Sequence, residues 1–252
     1  MQRSAAALAL ALILVILGLP APVAAQGTDT LWVENFSNQP SRIWTQEYGE
    51  WRDFFTLYRG KTTARRFPLQ VWEASARTPV SPSPLTSWTT VARLRGWASG
   101  GEALPNIIAL RQNVTADRRG FGLELSFSPS GTDQIRLVRY QPGFAAFTLS
   151  SVDTLLDAAA YHYIKIWVEH VVVGSFTVAQ VQAKVWKTDE FEPALWLLEG
   201  LSDVPILDGH DISIGAVSTT IDRYVDADFV IVLGDRSPVE PRSWGNIKSR
   251  FR

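Results

Sequence analysis

Apolar and polar positions alternate along most of this chain. In 120–128, GFGLELSFS sets Phe121, Leu123, Leu125 and Phe127 on one face. In 161–170, YHYIKIWVEH separates Ile164, Ile166 and Val168 from Tyr163, Lys165, Trp167 and Glu169. In 176–186, FTVAQVQAKVW sets Thr177, Ala179, Val181, Ala183 and Val185 against Gln180, Gln182, Lys184 and Trp186. SWTTVARLRGW (87–97), QIRLVRY (134–140), DISIGAV (211–217) and ADFVIVLG (227–234) continue the series. Side chains on a strand point alternately to opposite faces, so a period of two marks strands with one buried face. Many such runs, bounded by Gly, Pro, Ser and Asp, predict an antiparallel sandwich or barrel.

Helical spacing is nearly missing. VDTLLDAAAYH (152–162) has room for a helical turn or two, or for a loop leading into a strand. RTPVSPSPLTS (77–87) reads as a Pro/Ser loop, because proline cannot donate to a sheet ladder. SPSGTDQ (128–134) and EHVVVGS (169–175) read as hairpin connections turned by Gly131 and Gly174. With no internal repeat and no second composition zone, the pattern gives one β-sandwich with a tail.

The N-terminus changes the picture. Met1–Ala25 carries Arg3, the apolar run AALALALILVILGL and then PVAA, the three-part pattern of a secretory signal peptide cleaved after Ala25. The expected organisation is signal peptide 1–25, sandwich domain 26–235 and C-terminal tail 236–252. The remaining chain of about 227 residues suits one all-β domain. It holds 23 basic against 25 acidic side chains once Arg3 is gone, a balance unlike the basic excess of nucleic-acid binders. No later stretch reaches the roughly 18 continuous apolar residues of a membrane span. The chain has no cysteine, so the exported protein folds without disulfides, a habit more bacterial than animal. In a bacterial setting the Asn35 and Asn113 sequons carry no meaning.

The order of segments resembles the concanavalin A-like lectin/glucanase superfamily, and within it the laminin-G-like branch of secreted bacterial proteins. The residues that carry the resemblance are the aromatic-led strand Tyr163 to Trp167, then Lys184-Val185-Trp186, then Glu192-Pro193-Ala194-Leu195-Trp196. Asp226 or Asp228 before Phe229 fits the family's last strand, IIALRQNVTADRRGFGLELSF fits its strand ending in L-R, and LWVENFSN fits its first edge strand. The resemblance implies a jelly-roll of two curved antiparallel sheets whose concave face often holds glycan. It implies no activity, because lectins, hydrolases, lyases and spacers share the fold.

Glucanases of the superfamily carry their acids on one strand as E-x-D-x-x-E, and no such string occurs here. Asp189, Glu190 and Glu192 fall instead in the connection after Trp186, where acids are expected to be solvated, and Pro193 marks a turn. His162 and Tyr163 match the alginate-lyase set in residue type, but the surrounding strings do not match, and a lone His at a strand start reads as a surface residue. If the two strands pair as a hairpin, Tyr163, Lys165, Trp167, Lys184 and Trp186 form an aromatic and polar platform for a sugar ring. With ten tryptophans in the chain, most must be structural. No cofactor is expected; Asp203, Asp208 and Asp211 are the side chains that would hold a structural Ca²⁺. The tail carries Arg242, Lys248, Arg250, Arg252, Trp244 and Phe251, and is either a frayed terminus or a docking element for a protein.

Taken together, these features predict an exported, non-catalytic, carbohydrate-binding sandwich whose partner is a polysaccharide or glycoconjugate at the cell surface or in the periplasm. The alternatives are a glycoside hydrolase or polysaccharide lyase with non-standard catalytic residues, and a structural adhesion or assembly module.

Overall fold

The computed structural model describes residues 30–36, 44–54, 56–65, 71–80, 87–98, 106–128, 131–142, 146–157, 160–173, 175–219 and 223–234. The expected signal peptide and the tail 236–252 lie outside them. The described residues form two eight-stranded sheets, and every pairing is antiparallel.

The first sheet runs β14 (Leu198–Ser202), β13 (Phe176–Lys187), β12 (His162–Val173), β7 (Ser87–Ala98), β16 (Arg223–Leu233), β4 (Leu57–Lys61) and β3 (Glu50–Phe54). In it β1 (Thr30–Glu34) also pairs β16. The second runs β11 (Ala146–Thr154), β10 (Asp133–Tyr140), β9 (Gly120–Ser126), β8 (Ile107–Val114), β15 (Asp211–Ser218), β6 (Val71–Pro79) and β2 (Thr45–Tyr48), with β5 (Thr63–Arg65) also on β6.

The alternation sets the core. Ile164, Ile166 and Val168 of β12 and Ala179, Val181 and Ala183 of β13 face inward, into one cluster with Leu123, Leu125, Ile135, Leu137, Ile212 and Ile214 of the second sheet. Tryptophan goes largely to structure, as expected. Trp32, Trp44 and Trp51 gather with Phe36 and Tyr58 at one end of the core, with neighbouring ring centroids 4.8–6.0 Å apart. Trp88 is buried in the same cluster.

Three expectations are corrected. β12 runs on through Val173, so 169–173 is strand paired with Phe176–Gln180 and not a connection. β6 reaches Pro79, so the Pro/Ser segment begins as strand. Val152–Thr154 close β11 and not a helical turn. The strands that alternation did not announce, such as TQEY, EWRDF, LYRGK and AFTLSSVDT, are short or poorly buried, so no apolar stripe marks them.

One tight contact secures the β8–β15 junction, where the register shifts between Asp211 and Ser213. Asn113 sits there with φ 55°, its Oδ1 accepting from Trp88 Nε1 at 3.1 Å. Its buried amide also donates to the Gly209 carbonyl at 3.4 Å, so this sequon asparagine is enclosed in the fold. A Cβ on Gly209 would collide with the Asn113 backbone. Gly209→Ala should therefore lower stability by about 1–3 kcal/mol, read as a fall in Tm of roughly 3–10 °C; an unchanged Tm would contradict the junction.

Candidate functional site

Pairing of β12 with β13 sets Tyr163 opposite Trp186, Lys165 opposite Lys184 and Trp167 opposite Gln182. The five residues expected to form a sugar platform thus share one face, the outer face of the first sheet. The structure corrects their accessibility: Tyr163, Lys165, Lys184 and Trp186 are buried, and only Trp167 is half exposed. Tyr163 and Trp186 stack on each other, with centroids 5.2 Å apart, in a small second core with Val91, Ile231 and Leu233.

The cover over the lysines is the turn after β13. Glu192 is also buried, at 9% exposure, and its Oε1 accepts from Lys165 Nζ at 2.7 Å and from Lys184 Nζ at 3.2 Å. Lys184 donates further to the carbonyls of Pro193 (2.7 Å) and Ala194 (3.3 Å). The Trp196 ring then lies 4.7 Å from Lys184 Nζ and 5.4 Å from Lys165 Nζ, and stacks at 6.4 Å on Trp167. Residues 188–197 form a strap held onto the sheet. Asp189 and Glu190 are solvated, as expected of a turn, and Glu190 Oε2 accepts from Lys187 N at 3.1 Å. Glu192 is not solvated, and sequence reasoning missed this. Burial pulls the Lys165 ammonium below its usual pKa range; Glu192 opposes that shift and Lys184 adds to it.

The outer face of the second sheet is built differently. Cross-strand register lines up Arg77, Ser213, Arg111, Gly122 and Val138 in one row, and Ser75, Gly215, Ala109, Glu124 and Arg136 in the next. Small residues therefore form the middle of this face, with long polar side chains around them. Glu124 Oε1 accepts from the Tyr140 hydroxyl and Oε2 from Arg136 Nη2, each at 2.5 Å. The Arg111 guanidinium lies 4.2 Å over the Tyr140 ring. The ring rests on Gly122, where a Cβ would sit 2.5 Å from Tyr140 Cε2. Burial, and then Glu124, push the Tyr140 phenol far above its ordinary pKa, so it stays a hydrogen-bond donor. On the other flank Glu47 accepts from Ser75 Oγ at 3.3 Å and pairs with Arg77 (3.3 Å) and Arg118 (3.4 Å). The buried Ser213 hydroxyl, midway between Arg77 and Arg111, finds no hydrogen-bond partner. The signal for this face was present in Leu110-Arg111 and in Glu124 between Leu123 and Leu125: an inward apolar residue implies an outward polar neighbour.

The remaining candidates separate. Asp203 pairs Arg139 at 3.2 Å, Asp208 pairs Arg119 at 2.7 Å and Asp211 pairs Arg77 at 3.5 Å. His162, expected at the surface, is buried, and burial lowers its pKa, with Lys187 adding to the effect.

No protein-family model matches the chain, and no curated protein matches it in sequence. Solved structures do match in shape. The exoplasmic/lumenal domain of VIP36 in a Ca²⁺/Man3GlcNAc-bound form has a TM-score of 0.52 at 10% identity, over 81% of this chain and 88% of that one. A legume lectin-like domain from Entamoeba histolytica has a TM-score of 0.52 at 7% identity, over 84% and 100%. A prokaryotic β-1,3-1,4-glucanase (lichenase) from a mouse hindgut metagenome has a TM-score of 0.51 at 12% identity, over 80% and 97%. The fold is a concanavalin A-like sandwich. Ca²⁺ like that in the VIP36 structure does not fit Asp203, Asp208 and Asp211: each is held by a different arginine, and no three metal-ligating side chains gather among the described residues.

Two outcomes follow for the strap. Glu192→Gln leaves two buried ammonium groups without a counter-charge and should cost about 3–5 kcal/mol in chemical denaturation. Asp189→Asn should stay within about 0.5 kcal/mol; equal effects would contradict the buried ion triad. For His162, the unfolded chain takes up a proton near pH 6.5, whereas the folded site resists it. Stability should therefore fall as pH drops below about 6.5. His162→Gln should flatten that slope between pH 5 and 7, and a slope unchanged by the substitution would contradict the assignment.

Proposed function

We propose that this protein is an exported, non-catalytic carbohydrate-binding sandwich of the laminin-G-like bacterial type. In this reading residues 1–25 are removed, 26–235 form the domain, and 236–252 remain for contact with a protein partner. Its ligand is a polysaccharide or glycoconjugate, met in the periplasm or at the cell surface.

The glycan surface proposed is the outer face of the second sheet. The observation that carries this is the Arg111–Tyr140–Glu124–Arg136 network beside the unpartnered Ser213 hydroxyl. Sugars are recognised by fixed polar groups and ring faces, and this network supplies guanidinium donors, a carboxylate and an aromatic ring held in place. Arg111, Glu124, Tyr140 and Ser213 are themselves buried, so a ligand meets this network first at the part-exposed Arg136, Arg77 and Arg118 around it.

Binding is favoured over hydrolysis by the state of the acids. Glycosidases work with two carboxyls across the scissile bond. On this face both Glu124 oxygens accept from Tyr140 and Arg136, and Glu47 is held by Arg77 and Arg118. VIP36, solved with Man3GlcNAc bound, lends the fold a sugar-binding precedent, and the glucanase lends it a catalytic one.

The test is retention of the purified, folded protein on a polysaccharide panel, with released reducing ends measured in parallel. Retention without release is expected. Ser213→Ala should keep or raise Tm, and Arg111→Ala should remain folded. Arg111→Ala should weaken binding about 10- to 100-fold, the scale of one lost charged hydrogen bond, and Ser213→Ala about two- to ten-fold, the scale of a neutral one. No retention on any polysaccharide would overturn the reading, and reducing ends lost on Glu124→Gln would replace it with hydrolysis.

A further inference from the structure

Part of the outer face of the first sheet is apolar, where the outer face of a sandwich is normally polar and wet. Ala92, Val230 and Val232 face the core, so Val91, Ile231 and Leu233, which alternate with them on β7 and β16, face outward. Register sets Val33, Ile231, Val91, Lys165 and Lys184 in one cross-strand row, and Phe229, Arg93, Tyr163 and Trp186 in the next. The ion and ring contacts of the strap lie at the lysine end of these rows.

At the other end, Val91, Ile231 and Leu233 are only 0–1% exposed. The described members of their cluster, which include Tyr163, Trp186, Val33 and Phe229, all stand on strands of this one sheet. Side chains on one face stand side by side, about 5 Å apart, and shield each other's flanks rather than their tops. Burial this complete calls for a further layer. The buried Trp186 Nε1–H also finds no hydrogen-bond partner among the described residues. A covering segment would bring it a backbone acceptor.

Position and composition point to the C-terminal segment. β16 ends at Leu233, itself a member of the cluster, and residues 235–252 follow Gly234 with Val239, Trp244, Ile247 and Phe251 among them. Trp244 lies ten residues beyond Gly234, a reach of up to about 33 Å. Trp186 stands three strands away from β16, about 14 Å across the sheet. The segments flanking β7 have one large apolar side chain each, Leu85 in 81–86 and Leu104 in 99–105. The N-terminal side enters β1 beside Leu233, but with 1–25 removed only QGTD precedes it.

We propose that residues 235–252 dock across the outer face of β16, β7, β12 and β13, beside the strap, with Trp244 against Val91, Ile231, Tyr163 and Trp186. The first sheet then carries a third layer made of two segments of its own chain, and a protein partner would meet the tail on this surface. Preferring the tail to the N-terminal segment rests on the removal of 1–25 in the proposed function; the need for a covering layer does not.

The chain has no cysteine, so Ser249→Cys gives one attachment point for a nitroxide label in the otherwise intact protein. NMR of the isotope-labelled, spin-labelled protein should show broadening of Val91, Tyr163, Trp186 and Ile231 that does not depend on protein concentration. Gly122 and Ser213, on the opposite sheet, should keep their line widths. Adding Trp244→Ala should remove most of the broadening and speed solvent exchange of the Trp186 indole N–H about ten-fold or more. Because Ser249→Cys alters no apolar side chain, the first result stands whether or not Trp244→Ala folds. Absence of selective broadening overturns the proposal. Broadening seen when spin-labelled protein is mixed with isotope-labelled protein lacking the cysteine overturns it in favour of a second copy on this face. Intact mass reports separately whether 1–25 are gone: if they remain and the label leaves Val91 and Ile231 untouched, the N-terminal segment takes the place of the tail. Polysaccharide retention decides the glycan reading independently of all these outcomes.

Discussion

Lys165 and Lys184 stand directly opposite each other on neighbouring strands, and both reach the same oxygen of Glu192. Two ammonium groups at that separation repel, and burial raises the cost of each. One carboxylate cannot neutralise both. The residual charge is met by the carbonyls of Pro193 and Ala194 and by the Trp196 ring. Each of these groups belongs to the strap, so the lysines gain their compensation only when residues 192–196 lie across the sheet. The same contacts close that part of the outer face to a ligand and leave Phe191 and Leu195 pointing into solvent.

The two sheets consequently divide the work. The first has a strap over one part of its outer face and a lattice of arginines and aspartates over another. The second has an inward row of Leu123, Leu125, Ile135 and Leu137 in the core and an outward network of Arg111, Glu124, Arg136 and Tyr140. That network is held by its own internal bonds, and Arg111, Glu124 and Tyr140 within it are buried. Lectin-like and glucanase structures share the architecture, so the fold by itself assigns no role. In the proposed function, the engagement of both Glu124 oxygens is the ground for binding over hydrolysis.

Much of the fold was legible because a half-buried strand advertises itself by alternation. The β12–β13 hairpin, β9, β15 and β16 follow the pattern of apolar residues closely. β3 and β4 were not legible, since five-residue strands such as EWRDF and LYRGK lack a long apolar stripe. Glu192 illustrates a different limit. An acid before a proline in a turn looks solvated, and its burial depends on what lies beneath it. The clue lay elsewhere, in the register: once Tyr163 is set against Trp186, Lys165 must face Lys184, and two facing lysines require a counter-ion. The five platform residues were brought to one face as the alternation implied, but alternation says nothing about what folds back over that face.

The central claim is that the outer face of the second sheet, and not the strap-covered β12–β13 face, meets the glycan. Backbone and side-chain NMR shifts of the isotope-labelled protein, followed while a retained oligosaccharide is titrated in, test it directly. The account predicts that Arg111, Gly122, Tyr140 and Ser213 shift in a saturable way while Tyr163, Lys184 and Trp186 stay fixed. Saturable shifts confined to Tyr163, Lys184, Trp186 and the strap, with the Arg111 network unmoved, would contradict it.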